Sequence, residues 1–326
     1  MTKLLTSLLD SVPGTVETRV KAARDRSRNV LRDALRAECR LAMRGPDDTD
    51  ERGSLAQVPV EIDPGFPAVL KTIAFSDDLQ HVLLLSRYRQ PLAEVASGTA
   101  RLIELHAKLR LLPHADDWAP QTDQALHDTQ DWARAMLKRL EIQDPVGRVL
   151  AINEDILGAY HYDASCTDEF AVNRATIRLY WVVIGLISNW LGCSVEDLTI
   201  VVLAHELAHA YTQLGADIEG RRWPSQHFAK AETNLKEGLA QYYTVRVLER
   251  LRARFPSAKD VFTALLKKQG PAYHCFEPWE ANCSPEAVRR AMIEVRRWNE
   301  GEIAQFEARL DKAAEAFQPL NDGPID

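Results

Sequence analysis

The sequence predicts an α+β fold that is mainly helical, with a small mixed sheet and a helical N-terminal extension. Three observations carry this expectation. Several segments, among them 15–44, 92–112 and 123–140, read as helices with apolar residues interleaved among polar ones. Only short runs alternate apolar and polar as half-buried strands do. Finally, residues 194–248 hold two helical stretches joined by a polar loop, and the chain's most distinctive residues lie on them.

Taken in order, residues 15–44 carry Arg19, Arg24, Arg26, Arg28, Arg32, Arg36, Arg40 and Arg44 interleaved with Val20, Val30, Leu31, Leu35 and Leu41. This is a basic amphipathic helix that ends in the turn Gly45-Pro46-Asp47-Asp48. Such a face suits an acidic partner, a membrane surface or nucleic acid. Glu17, Asp25, Asp33 and Glu38 dilute its charge, so a surface helix with solvated arginines is the expectation. Residues 47–54 read as a linker, which delimits an extension over 1–55.

A segment of mixed α and β character is expected over 56–118. Val58, Val60 and Ile62 alternate as a short strand, and His81 to Tyr88 suggest another. Leu92 to Leu112 read as a helix with Val95, Leu102, Leu105 and Leu109 inward, and Pro113 to Pro120 break it. The remaining region, 119–326, opens with a helix over Asp123–Leu140. Strands are expected at Arg148–Ile152, Ile156–Tyr162 and Thr176–Tyr180. Leu179 to Leu191, interrupted by Asn189, is too short to span a bilayer and reads as a core helix. Beyond residue 250 the chain is helical again. Ser284 and Pro285 form an N-cap and N1 pair before a helix with Val288, Met292 and Val295 on one face.

A 46% hydrophobic content is enough to bury a substantial core in a chain of this length. The net charge of −7 gives no overall nucleic-acid footprint. Cys39, Cys166, Cys193, Cys275 and Cys283 are scattered, odd in number and without a C-x-x-C pair, which fits a reducing cytoplasm rather than a disulfide framework. His274-Cys275 with Cys283 matches no zinc-knuckle spacing. The start, MTKLLTSLLDSVPG, makes a poor signal peptide because Thr6, Ser7 and Asp10 interrupt its apolar stretch. A soluble cytoplasmic protein without a transmembrane segment is expected.

The run VVLAHELAHAYTQLG contains His205, Glu206 and His209 in the pattern H-E-x-x-H. On a helix, residues four apart project from one face, so the two imidazoles can share one Zn²⁺. Glu206 then stands beside the metal rather than on it. Ser194 to Asp197 form a capping box that starts this helix near Val195, and Gly215 suits a left-handed C-cap. Between them Leu198, Ile200, Val201, Leu203, Leu207 and Tyr211 cover nearly every face, so the helix is buried and its histidines need polar or metallic partners.

A catalytic zinc takes three protein ligands and keeps one position open. The metzincin pattern H-E-x-x-H-x-x-G-x-x-H fails, since Thr212 stands where glycine is required and Gly215 where histidine is. The other pattern puts a glutamate on a second helix, and Glu237-Gly238-Leu239-Ala240-Gln241-Tyr242-Tyr243 offers one. Here the sequence resembles the gluzincin metallopeptidases, in which a helix carrying a glutamate ligand follows H-E-x-x-H. The stretch is similar to the E-G-F-A-x-Y-F form of the aminopeptidase branch. The likeness covers roughly residues 194–248. Gln241 stands where thermolysin-like members carry an aspartate, and the aminopeptidase segment G-x-M-E-N is missing.

That resemblance implies a zincin-like catalytic domain over 119–326 with one zinc per chain on His205, His209 and Glu237 and with Glu206 as general base. His227, Asp217, Glu219 and Glu232 lie between the two helices as rival third ligands. The implied activity is hydrolysis of a peptide bond in a peptide or protein by a zinc-activated water. Tyr242, Tyr243, His227, Tyr273 and His274 are candidate donors to the transition-state oxyanion. The family also pairs an extended substrate with a strand just before the metal helix, a part open here to Ile156–Tyr162 or Thr176–Tyr180. Two alternatives stand beside this reading: a catalytically silent zincin-fold binding or sensor protein, and a zinc hydrolase acting on a non-peptide amide.

Overall fold

The computed structural model describes residues 12–43, 58–63, 88–111, 119–151, 156–165 and 175–316. Helix α1 (Thr15–Cys39) is followed by strand β1 (Val60–Asp63), the helical pair α2 (Arg89–Leu109) and α3 (Ala119–Gln143), and the short α4 (Pro145–Leu150). Strands β2 (Gly158–Tyr162) and β3 (Ala175–Tyr180) lead into α5 (Trp181–Leu191), α6 (Val195–Leu214), α7 (Ser225–Lys230) and α8 (Thr233–Arg250). The C-terminal part runs through α9 (Ala258–Leu266), a 3-10 turn (Pro271–His274), α10 (Glu277–Asn282), α11 (Pro285–Trp298) and α12 (Ile303–Ala316). The described chain is therefore α+β and mainly helical.

The sheet is mixed. β3 lies in the middle, with β1 parallel along one side and β2 antiparallel along the other. In register, Gly158 stands opposite Leu179 and Tyr160 opposite Ile177. Among the described residues this leaves β2 at an edge of the sheet, beside helix α6.

Helix α6 is apolar on nearly every side and is buried from Val195 to Leu214 except at Glu196, Asp197 and His205. The Ser194 side chain caps it, accepting a hydrogen bond from the Asp197 amide at 3.0 Å, as the capping box predicts. Gly215 differs from expectation. It is extended (φ −62, ψ 126) rather than left-handed. Its lack of a side chain serves a close crossing, because a Cβ would stand 2.7 Å from the Leu41 Cβ. There Ala42 and Ala216 pair as an antiparallel bridge, with N–H to O distances of 2.9 and 2.8 Å.

Helix α1 ends at Cys39, with Arg40 in the left-handed region (φ 57), earlier than the arginine pattern predicts. Val16, Val20, Leu31 and Leu35 are buried in the same core as α6, while Arg19, Arg26, Arg36 and Arg40 are exposed, as expected of an amphipathic surface helix. Arg19 clasps Glu196 on the first turn of α6, Nε to Oε1 at 2.7 Å and a terminal guanidinium nitrogen to Oε2 at 2.6 Å. At the other end Glu38 accepts from Arg246 (3.2 Å) and Arg250 (3.0 Å) on α8. Helix α1 thus braces both helices of the H-E-x-x-H and E-G-L-A segments.

Two further expectations change. Residues 148–151 belong not to a strand but to helix α4 and its C-cap. Asp144 caps that helix through the Gly147 amide at 3.2 Å, with Pro145 at its first position, and this start signal outweighs the β-branched residues that follow. On α2, Val95, Leu102, Leu105 and Leu109 do not point inward; they are 39%, 52%, 51% and 37% exposed. The face buried against α3 carries Leu92, Thr99 and His106 instead. The β3 strand takes Leu179 and Tyr180, so the core helix begins at Trp181. Val288, Met292 and Val295 are buried on α11 beneath the Ser284 cap, as predicted. The suggested strand over His81–Tyr88 and the linker over 47–54 lie outside the described residues, Tyr88 excepted. No single described helix is long and apolar enough to cross a membrane.

Candidate metal centre

The helical repeat of α6 puts His205 and His209 one turn apart, and α8 packs across them. Their Nε2 atoms are 3.1 Å apart, with rings nearly perpendicular at 88°. Glu237 on α8 closes the group, its Oε2 3.1 Å from His205 Nε2 and its Oε1 3.4 Å from His209 Nε2. Among the described residues this is the only group of three or more histidine, cysteine or acidic side chains arranged to hold a metal ion. Donors bound tetrahedrally at 2.0–2.2 Å to one cation stand about 3.3–3.5 Å apart. The triangle of two imidazole nitrogens and one carboxylate is close to that size, so the residues fit a metal.

The electrostatics agree with an anionic corner. Burial opposes ionisation of Glu237, but the charges of His209 and His205 and their hydrogen bonds outweigh it and hold the carboxyl far below the usual carboxylate range. His205 keeps 13% side-chain exposure, slightly more than His209 at 8% and Glu237 at 9%.

Glu206 is buried at the next position of α6. It lies against strand β2: a Cβ on Gly158 would stand 3.1 Å from the Glu206 Oε1 and 2.7 Å from the Val202 Cγ1. Glycine is therefore what lets the strand approach the carboxylate. Gly238, beside Glu237, has a similar part, since a Cβ there would come within 2.6 Å of the Trp279 ring on α10.

The rival third ligands are held elsewhere. Asp217 accepts from the amides of Glu219 and Arg221, both at 2.9 Å, and pairs with Arg297 at 3.3 Å. Glu219 pairs with Arg221 and Arg297. Glu232 accepts from the Ile303 amide at 3.0 Å, at the start of α12. His227 is exposed on α7 and is not part of the ligand triangle. Gln241 donates to Gln269 at 3.0 Å.

The oxyanion candidates separate in the same way. Tyr273, buried on the 3-10 turn, has its ring centre 5.7 Å from that of His205. Its neighbour His274 pairs with Glu277 at 2.9 Å on an exposed surface. Tyr242 and Tyr243 are turned about 140° and 120° around α8 from Glu237. Burial raises both phenols, Tyr242 to about 12, with Arg246 and Glu38 near it and Cys39 near Tyr243. They belong to the α1 side of α8 and are not brought to the metal group.

In the sequence Gly158 and Tyr160 stand out only as members of the Ile156–Tyr162 strand, with no individual role. The Tyr160 ring lies parallel to that of His209 at 6.5 Å, and its hydroxyl donates to Gln213 Oε1 at 2.7 Å. Gln213 is one turn beyond His209 and donates in turn to Ser225 at 3.1 Å. The alternation of Tyr160 and Tyr162 along a strand is a sequence signal for a shared face, and the two rings do lie 5.5 Å apart. No family model matches this chain, and no curated protein or solved structure matches it either.

Proposed function

We propose that the protein is a zinc-dependent metallopeptidase of gluzincin type, hydrolysing peptide bonds of a peptide or protein. The observation that carries the reading is one constellation: two histidines and a glutamate in a triangle of 3.1–3.4 Å, with a second, buried glutamate at the next position of the same helix. A purely structural site has no use for that second carboxylate. His205, His209 and Glu237 would hold the zinc. When bound, it supplies Lewis acidity, making an attacking water acidic near neutral pH and polarising the carbonyl under attack.

The chain's own residues do the rest. Glu206 accepts the proton of the attacking water on its carboxylate and delivers it to the leaving amine nitrogen. Gly158 lies against that buried carboxylate, which limits its rotamers. Tyr273 is our choice for the donor that meets the developing oxyanion. The edge strand β2 receives an extended substrate by strand addition. The central strand β3, flanked on both sides, has no such edge to offer.

The test is hydrolysis of an unfolded protein or peptide library by zinc-loaded wild type and Glu206→Gln. The reading requires cleavage by wild type and loss of it by about 10²–10⁴-fold in the variant, with zinc content equal. If the two proteins behave alike on every substrate, the silent binding or sensor reading takes its place.

A further inference from the structure

Helices α2 and α3 form a hairpin with little core of its own. Leu92 and Leu140 form its small apolar cluster, with Met136 and Leu137 packed against them, and Ala133 is buried as well. The pair is antiparallel, because Gln130 Nε2 donates to the Ala96 carbonyl at 3.4 Å while His106 lies 3.3 Å from Asp123. On α2 the buried positions Leu92, Thr99 and His106 recur every seven residues and face α3. Val95, Leu102 and Leu109 repeat at the same interval with Leu105 between them, and all four are more than a third exposed.

At 100° per residue, those four side chains are turned about 60–100° from their buried neighbours, all in one rotational sense. Trp132 on α3 is 56% exposed and precedes the buried Ala133, so it is turned about 100° in that same sense. In an antiparallel pair, equal rotation about each helix axis leads to the same side. The hairpin therefore presents an apolar stripe along α2, with Trp132 of α3 on the same side.

We propose that this face is the interface of a homodimer, in which the hairpin of a second copy completes a four-helix bundle. A seven-residue apolar repeat is the pattern that packs helices into helices at a shallow crossing angle. The stripe runs along 21 residues of α2, about 30 Å, a length along which a second helix can pack. Its charges point to the same occupant. Arg89, Arg101 and Lys108 nearly balance Glu94 and Glu104 on α2, and α3 carries three cations against four acids. A rim of mixed sign complements itself across a two-fold axis, whereas an anionic membrane or nucleic acid calls for a basic one.

The test is sedimentation velocity of the full chain from about 1 to 100 µM, with helix content and zinc uptake recorded alongside. The expected result is a dimer whose dissociation constant rises about a hundredfold or more in Leu102→Glu/Leu105→Glu, and again in Trp132→Ala from the other helix. Both substitutions leave helix content and zinc uptake unchanged. A wild type that stays monomeric throughout overturns the proposal. A dimer indifferent to both variants overturns it as well. A monomer that pellets with phosphatidylcholine vesicles only while Leu102 is intact replaces it with a lipid surface. A monomer that dimerises only when residues 64–87 are deleted replaces it with cover by that segment.

Discussion

Gly158 on strand β2 lies against Glu206 on helix α6, so close that a methyl group in place of its hydrogen would stand 3.1 Å from the carboxylate oxygen. This contact ties the strand to the proposed base. Gly158→Ala must move the Glu206 side chain or push the strand away from Val202. An error of about 1 Å in a catalytic group lowers turnover by roughly a hundredfold. The expected outcome is a loss of that order in kcat with zinc content unchanged, measured by steady-state hydrolysis and metal analysis.

The ligand assignment separates two residues that the sequence leaves in competition. Glu237→Ala removes one corner of the triangle and should lower zinc affinity by at least about a hundredfold. His227→Ala, at an exposed position on α7, should leave affinity within about twofold of wild type. Competition with a chromophoric chelator measures both.

Glu38 is a joint between α1 and α8. It is 9% exposed and accepts from Arg246 and Arg250. Glu38→Ala leaves those partly exposed guanidinium groups without their shared acceptor and should destabilise the fold by about 0.5–1 kcal/mol. Thermal unfolding of the zinc-loaded protein should show a fall of a few degrees, with Glu38→Gln falling less.

Cysteine reactivity reports the same packing. Cys39 is fully buried, and burial pushes its thiol up to about 12, against the weaker opposing influence of the Leu41 backbone and Arg296. Only the thiolate alkylates, so at pH 8 Cys39 should stay unmodified by iodoacetamide until the protein unfolds. Cys275 and Cys283 are partly exposed, with smaller upward shifts, and should react first. Peptide mass spectrometry after timed quenching reads the order.

Much of the centre is legible in the sequence because its determinants are local. The spacing of His205 and His209 and the cap at Ser194 depend only on helix geometry. The outward face of α2 was not legible, since the same seven-residue spacing describes Leu92, Thr99 and His106 as well as Val95, Leu102 and Leu109. Which set meets α3 is decided by tertiary packing. Gly215 misled for a similar reason. A glycine at a helix end signals a left-handed cap, but here it admits Leu41 from a distant part of the chain. The pairing of Gly158 with Glu206 is equally non-local, and only the packed strand and helix display it.

The most direct measurement is an anomalous-difference map at the zinc edge from crystals grown with zinc. The account predicts one strong peak per chain, within about 2.0–2.2 Å of His205 Nε2, His209 Nε2 and a Glu237 carboxylate oxygen, with Glu206 outside that shell. A peak on other side chains, or none between the two imidazoles, would contradict it.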